Sequence, residues 1–182
     1  MLQKICAFIL YRLLGWRIEG EVPRDHPRLV LLCLPHTSNW DFVMAMLFLK
    51  AEKLQLTIFG KDGFYFFPLT ILYKFFNVVP ISRSKKSNFV EQAAKLYEND
   101  VALWTGMAPE GTRSKINSLK SGYYHLAKTA DVWVTVLGMD YLHKKLVIKL
   151  PRPVLNTFEA DEADLIEFSQ SLVAKRNENN VK

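Results

Sequence analysis

Six consecutive apolar residues, 29–34, stop at Pro35 and give way within a few positions to a helix-capping pattern. This juxtaposition constrains the fold more than any other part of the chain. An apolar run of that length reads as a strand buried on both faces, and the residues after it as a polar turn. Ser38 followed three residues later by Asp41 is a capping-box-like pattern at the head of an apolar helix, residues 42–49. Elsewhere Asn88 and Glu91 cap a helix running to about residue 98. Apolar runs of strand type lie at 101–104, 132–137 and 146–150, around a helix near 123–128, and residues 164–174 read as a final helix. Strands alternating with helices imply an α/β sheet with helices on its faces. At 182 residues and 49% hydrophobic composition, the chain can bury a substantial core. No linker or repeat divides it, so residues 1–182 read as one domain, with a polar tail at 175–182 expected to fray.

The turn after the first strand carries chemistry. Positions five apart on a helix point about 140° apart, so a continuous helix cannot bring His36 and Asp41 together. A turn that starts a helix can, with His36 folded back against the helix N-terminus. A carboxylate within reach fixes the imidazole tautomer and supports its protonated form, as a general base acting on a hydroxyl requires. Two readings are open on these residues alone: a catalytic pair, or a helix cap beside an ordinary loop histidine.

A second segment, Pro109, Glu110, Gly111, Thr112, Arg113 and Ser114, follows the run at 101–104. Its proline and glycine give a backbone that a ligand can approach closely. Arg113 is a planar donor suited to phosphate, and Thr112 and Ser114 add hydroxyls. By itself the segment is equally an ordinary polar turn with a surface arginine.

Taken together, the two segments resemble the glycerolipid acyltransferases. His36, four residues, then Asp41 match the family's first block, and Glu110 to Ser114 match its Glu-Gly-Thr-Arg-Ser block without change. Lys61, Pro68 and Val79, Pro80, Ile81, Ser82 and Arg83 look like the block between them. Lys120, Ser121 and Gly122 are similar to the residues that follow the third block. The resemblance spans roughly residues 28 to 138, in the family's order. Departures concern the substrate. Pro35 stands where Asn or Ser is usual, Asn77 where glycine is common, and Ala108 where an aromatic is frequent. Trp133 and Val136 occupy the positions of two prolines in the fourth block, residues 131–136.

The resemblance implies a glycerol-3-phosphate acyltransferase-like fold: a single α/β domain with a central, mixed but mostly parallel sheet flanked by helices. It implies a fatty acyl group moved from acyl-CoA or acyl carrier protein, as co-substrate and without a further cofactor, to a lysophospholipid hydroxyl. The best-fitting acceptor is 1-acyl-glycerol-3-phosphate, giving phosphatidic acid. His36 would be the base and Asp41 its support. Arg83 and Arg113, with Lys61, would grip the acceptor phosphate, and Glu110, Gly111 and Thr112 would build the loop around it. Another lysolipid, such as a lyso-aminolipid, and a non-catalytic lipid-binding protein remain as alternatives. A serine hydrolase is disfavoured because there is no G-x-S-x-G elbow.

Two cysteines, Cys6 in a predicted helix and Cys33 in a predicted strand, suggest neither a disulfide framework nor a zinc site, and a reducing compartment fits. His26, His36, His125 and His143 have no metal-ligand spacing among themselves, so no metal site is suggested.

The membrane enters through two segments. Residues 1–20 read as an amphipathic helix with Leu2, Ile5, Cys6, Ile9, Leu13 and Trp16 at helical spacing and Lys4, Arg12 and Arg17 beside them. Interrupted by charge, it falls short of the ~20 apolar residues of a spanning helix. Packing on the core and lying in the lipid interface are both open to it. Residues 64–76 hold five of the twelve phenylalanines, flanked by Lys61, Lys74, Arg83, Lys85 and Lys86, a composition suited to headgroup depth. A formal net charge of +6 draws the chain to anionic lipid or to an acidic carrier protein. Nucleic acid is the competing partner for a basic chain, and no recognition motif for it is present. The expected location is peripheral, on the cytoplasmic face of the membrane.

Overall fold

Seven strands in the order β1-β7-β6-β2-β5-β3-β4 form one sheet in the computed structural model, which describes residues 1–61, 76–81 and 86–181 and, within these, no side chain at 60, 61, 81 or 86–88. The strands are β1 (Arg17–Glu19), β2 (Leu29–Cys33), β3 (Thr57–Lys61), β4 (Val78–Ile81), β5 (Trp104–Met107), β6 (Trp133–Asp140) and β7 (Lys145–Ile148). All pair in parallel except β6 with β7, which are antiparallel and joined by a short turn. The helices are α1 (Leu2–Ala7), continued by a π-helical turn at Phe8–Leu13, then α2 (Asn39–Ala51), α3 (Lys86–Asn99), α4 (Gly122–Ala130) and α5 (Phe158–Gln170). The expected single α/β domain, mostly parallel and flanked by helices, is what forms.

The apolar run explains the layering. Successive side chains of a strand point to opposite faces, and a parallel sheet covered on both faces needs both sets apolar. Leu29 and Leu31 pack with Cys6, Leu10, Met44 and Phe48 from the α1 and α2 side. Val30, Leu32 and Leu34 pack with Ala93, Tyr97, Tyr123, Leu126 and Leu165 from α3, α4 and α5. The Tyr97 hydroxyl ties the second layer to the sheet by donating to the Leu29 carbonyl at 2.8 Å.

Several boundaries differ from the sequence expectation, each for a local reason. The strand expected at 101–104 is displaced to Trp104–Met107, because Asp100 Oδ1 accepts from Ala102 N–H at 3.0 Å and turns the chain there. Val101 is left exposed. The final helix starts at Phe158 and ends at Gln170 rather than spanning 164–174. Thr157 Oγ1 caps it by accepting from Ala160 N–H, and Asp161, fully buried, takes Arg152 Nη1 at 2.6 Å and the Tyr123 hydroxyl at 2.8 Å. Asn88, expected as a cap, lies inside α3.

The amphipathic helix expected over residues 1–20 ends at Leu13. Gly15 adopts φ +71°, a left-handed turn that favours glycine, and Arg17–Glu19 then joins the sheet beside β7. Cys6 and Leu10 are buried in the core while Leu2, Ile5, Phe8 and Leu13 face outward, so one face of this segment packs and the other is exposed. Among the described residues no helix is long and apolar enough to cross a membrane. The aromatic stretch 64–75, with Pro68, Lys74, Ser82, Arg83 and Lys85, lies outside the described residues.

The tail expected to fray is tied down. Val181 is 2% exposed and sits in the core cluster of Leu165. Asn180 exchanges hydrogen bonds with Ser169 at 2.7 and 2.9 Å. Arg176 N–H donates to Thr37 Oγ1 at 3.1 Å. Buried partners, and not composition, decide whether such a segment is ordered.

Candidate active site

Parallel strands β2, β5 and β6 are neighbours in the sheet, so the loops at their C-terminal ends converge, the position where open α/β sheets bind ligands. The loop after β2 carries His36 and Asp41. The loop after β5 carries Glu110 to Ser114, and the turn after β6 carries Tyr141.

The first loop is built by the capping pattern. Ser38 Oγ accepts from Trp40 N–H at 3.2 Å, and Asp41 Oδ2 accepts from Thr37 and Ser38 N–H at 2.7 Å each. The same oxygen stands 3.4 Å from His36 Nδ1. Asp41 therefore caps the helix and also faces the histidine. Asp41 is 2% exposed, whereas the His36 side chain is 22% exposed. With Nδ1 turned to Asp41, Nε2 is the nitrogen available to take a proton.

Glu110 comes from the second loop but works on the first. Its Oε1 and Oε2 accept from His36 backbone N–H at 3.1 and 3.0 Å. Burial pushes its carboxyl up to about 7, opposed by those two bonds and by the charge of His36 and assisted by the charge of Asp41. Gly111 turns the chain at φ +67°, and a β-carbon there would lie 2.5 Å from Lys120 Nζ, so the lysine side chain covers the loop. Lys120 N–H closes it by donating to the Pro109 carbonyl at 2.8 Å. Thr112, Arg113 and Ser114 are exposed. Arg113 Nη1 donates to Asn39 Oδ1, joining the two loops.

Of the expected site residues, His36, Asp41, Glu110, Gly111, Thr112 and Arg113 come together here. Lys61 is the last residue of β3, opposite Ile81 of β4, with its side chain outside the description. Arg83 lies outside the described residues. Asn77, in place of the family's glycine, adopts φ +52°, a region Asn tolerates better than most residues, and donates to Thr57 Oγ1 at 2.9 Å. Trp133 pairs with Leu29 at the end of the sheet away from His36. Cys33 closes β2 below the site, and burial together with the Asp41 and Glu110 charges pushes its thiol up to about 12.

Two contributors were not expected from the sequence. Tyr141 donates its hydroxyl to Asp41 Oδ1 at 2.8 Å. The segment after α5 touches both loops, through Arg176 N–H on Thr37 and through Asn179 Nδ2 donating to the Arg113 carbonyl at 3.1 Å. Their separation from the motifs in the chain hides them, and a tyrosine or asparagine in a polar stretch carries no signal of its own.

The acyltransferase family model matches residues 16–140. Among solved structures, the 1-acyl-sn-glycerophosphate (LPA) acyltransferase PlsC from Thermotoga maritima shares the fold. It is 18% identical, with a TM-score of 0.64 over 95% of this chain and 80% of that one. No curated protein matches this chain.

Proposed function

The chain belongs to the acyltransferase family, and from that premise we propose that it moves a fatty acyl group from a thioester carrier to the free hydroxyl of a lysophospholipid. The carrier is acyl-CoA or acyl carrier protein. The acceptor that the residues fit best is 1-acyl-glycerol-3-phosphate, the substrate class named for the structurally similar PlsC. The observation that carries the reading is the approach of His36 Nδ1 to the buried Asp41 carboxylate, 3.4 Å, at the strand ends where the arginine loop also converges.

In this mechanism the acceptor hydroxyl gives its proton to His36 Nε2 as its oxygen attacks the thioester carbonyl. The tetrahedral intermediate collapses by breaking the C–S bond, and the proton passes from His36 to the departing thiolate. Asp41 supports the charge on the imidazolium between those steps. An activated thioester needs no covalent enzyme intermediate once both substrates are aligned. The Cys33 thiol, held up to about 12, is unsuited to the nucleophile's role. Arg113, with Arg83 and Lys61, grips the acceptor phosphate, and Glu110, Gly111 and Thr112 shape the loop. The thioester is a co-substrate, and no cofactor is required.

The acceptor resides in a bilayer, and the protein meets it peripherally, on the cytoplasmic face. Supporting this, Leu2, Ile5, Phe8 and Leu13 are exposed beside Lys4 and Arg12, and Trp40, Phe42 and Val43 are exposed at the N-terminal end of α2 next to the site. Such a face seats rings and aliphatic groups at headgroup depth with cations over phosphates. A second acceptor class is favoured by one observation. Arg113 already donates to Asn39, so a lyso-aminolipid lacking a phosphate would leave the arginine a loop tie.

Acyl transfer from labelled acyl-CoA and acyl carrier protein to lysophosphatidic acid, other lysophospholipids and a lyso-aminolipid tests the reading, with His36→Ala as control. Transfer to lysophosphatidic acid that vanishes in the variant is expected. Transfer only to another lipid redirects the acceptor, and an active His36→Ala protein removes the mechanism. Binding of lysolipid without transfer would make the protein a lipid binder.

A further inference from the structure

Tyr141 lies one residue past the stretch matched by the family model and belongs to neither motif. We infer that Tyr141 is a positioning residue for acyl transfer, its hydroxyl holding the Asp41 carboxylate in the plane that His36 requires. The inference rests on the assignment of His36 and Asp41 as the base pair.

The argument begins with what a buried carboxylate needs. Asp41 is 2% exposed, and each of its oxygens must find a donor in the protein. Oδ2 is occupied by the Thr37 and Ser38 N–H groups and faces His36 Nδ1. Oδ1 accepts from the Tyr141 hydroxyl at 2.8 Å. Backbone amides on one oxygen leave the carboxylate able to pivot about it, and a donor on the other oxygen removes that freedom. It also draws charge toward Oδ1, away from the oxygen that faces the histidine.

The tyrosine is itself held from three directions. Its ring meets Trp16 edge-to-face, with centroids 5.0 Å apart and planes at 88°. Lys175 Nζ lies 5.4 Å from the ring centroid, and Tyr141 N–H donates to the Val173 carbonyl at 2.9 Å. Burial, the Asp41 charge and the hydrogen bond to it all push the hydroxyl's ionisation above its ordinary value, so it stays a donor throughout the working range. Among the described residues, the other ionisable groups that bear on the pair include Cys33 at the end of β2, Glu110 from the loop after β5 and Lys175 from the segment after α5. A phenol on the far oxygen of a catalytic carboxylate tunes the base, whereas a merely structural tyrosine only fills space.

The test is Tyr141→Phe, which keeps the ring and its contact with Trp16, assayed with acyl-CoA and lysophosphatidic acid from pH 5.5 to 9, with His36→Ala and a melting curve alongside. The expected result is a fall in kcat of about tenfold, because the Asp41 carboxylate swings free once its Oδ1 tie is lost, with KM within about twofold. Asp41, no longer sharing its charge with the phenol, supports the imidazolium more strongly, so the acidic limb of the kcat/KM profile moves to higher pH. A wild-type profile in Tyr141→Phe with His36→Ala inactive overturns the inference. So does a loss of activity that is uniform across pH. Activity in His36→Ala instead overturns the underlying assignment, and the two failures are told apart by that control.

Discussion

The loop of residues 35–41 and the loop of residues 111–114 adjoin, joined by Arg113 and Asn39, yet they are held in opposite ways. Thr37, Ser38 and Asp41 are buried, and the N–H groups of His36, Thr37 and Ser38 all donate to carboxylates. Gly111 to Ser114 are exposed, and they are held by the Gly111 N–H bond to the Ala108 carbonyl at 3.0 Å, by the Arg113 side chain, by one bond from Asn179, and by a turn in which Thr112 Oγ1 accepts from Ser114 N–H. Proton transfer depends on distances fixed to a fraction of an ångström. Gripping a headgroup tolerates adjustment, since an arginine reaches its anion on a flexible stem. On the proposed mechanism, the difference gives the chemistry to the buried, amide-held loop and the recognition to the exposed one.

Substitutions can break that division of labour. Asp41→Asn strikes the rigid loop hardest. We expect kcat to fall by about 10^3-fold or more and the protein to lose roughly 1 kcal/mol as the cap weakens, read by steady-state kinetics and denaturant unfolding. An equal kcat loss in Arg113→Ala would erase the distinction between the loops.

Glu110→Gln comes next, with kcat lowered on the order of tenfold as the grip on the His36 amide loosens. Its stability carries a sign. The folded carboxyl, at about 7 against an ordinary 4.5, keeps its proton where the unfolded chain has lost it. The wild type should therefore gain stability relative to Glu110→Gln as pH falls from about 7 toward 4.5, and lose it as pH rises. Unfolding midpoints at pH 5 and 8 measure this, and parallel curves for the two proteins would refute it.

Arg113→Ala sharpens the contrast from the other side. KM for a phosphate-bearing acceptor should rise about tenfold with kcat little changed and Tm unaltered, since an exposed charge-assisted contact contributes to binding and little to folding. Smallest is Asn179→Ala, where loss of one exposed bond to the Arg113 carbonyl should change KM by about twofold, measured on the same acceptor.

Legibility in the sequence follows the range of each interaction. The strand at 29–34 and the Ser38 and Asp41 cap are local, and pattern alone reveals them, whereas the same pattern leaves the approach of His36 to Asp41 open until the turn's geometry is known. Glu110 is visible as part of a motif, but its hold on the His36 amide spans 74 positions and needs the β2 and β5 pairing to be known. Tyr141 reaches Asp41 across 100 positions. Strand β5 is obscured because Thr105 and Gly106 interrupt its apolarity. The tail misleads in the opposite sense, for its polar residues suggest fraying while Val181 fills a core position and Arg176 meets Thr37.

The first loop is held at residue 36 without use of its side chain. Glu110 holds residue 36 by its main-chain amide, a group that every residue but proline possesses. These two bonds to the loop therefore do not depend on the side chain at position 36. On the proposed mechanism, a substitution that replaces His36 would silence the chemistry while these amide bonds persist, so an inert variant at position 36 is the form in which to look for both substrates held together.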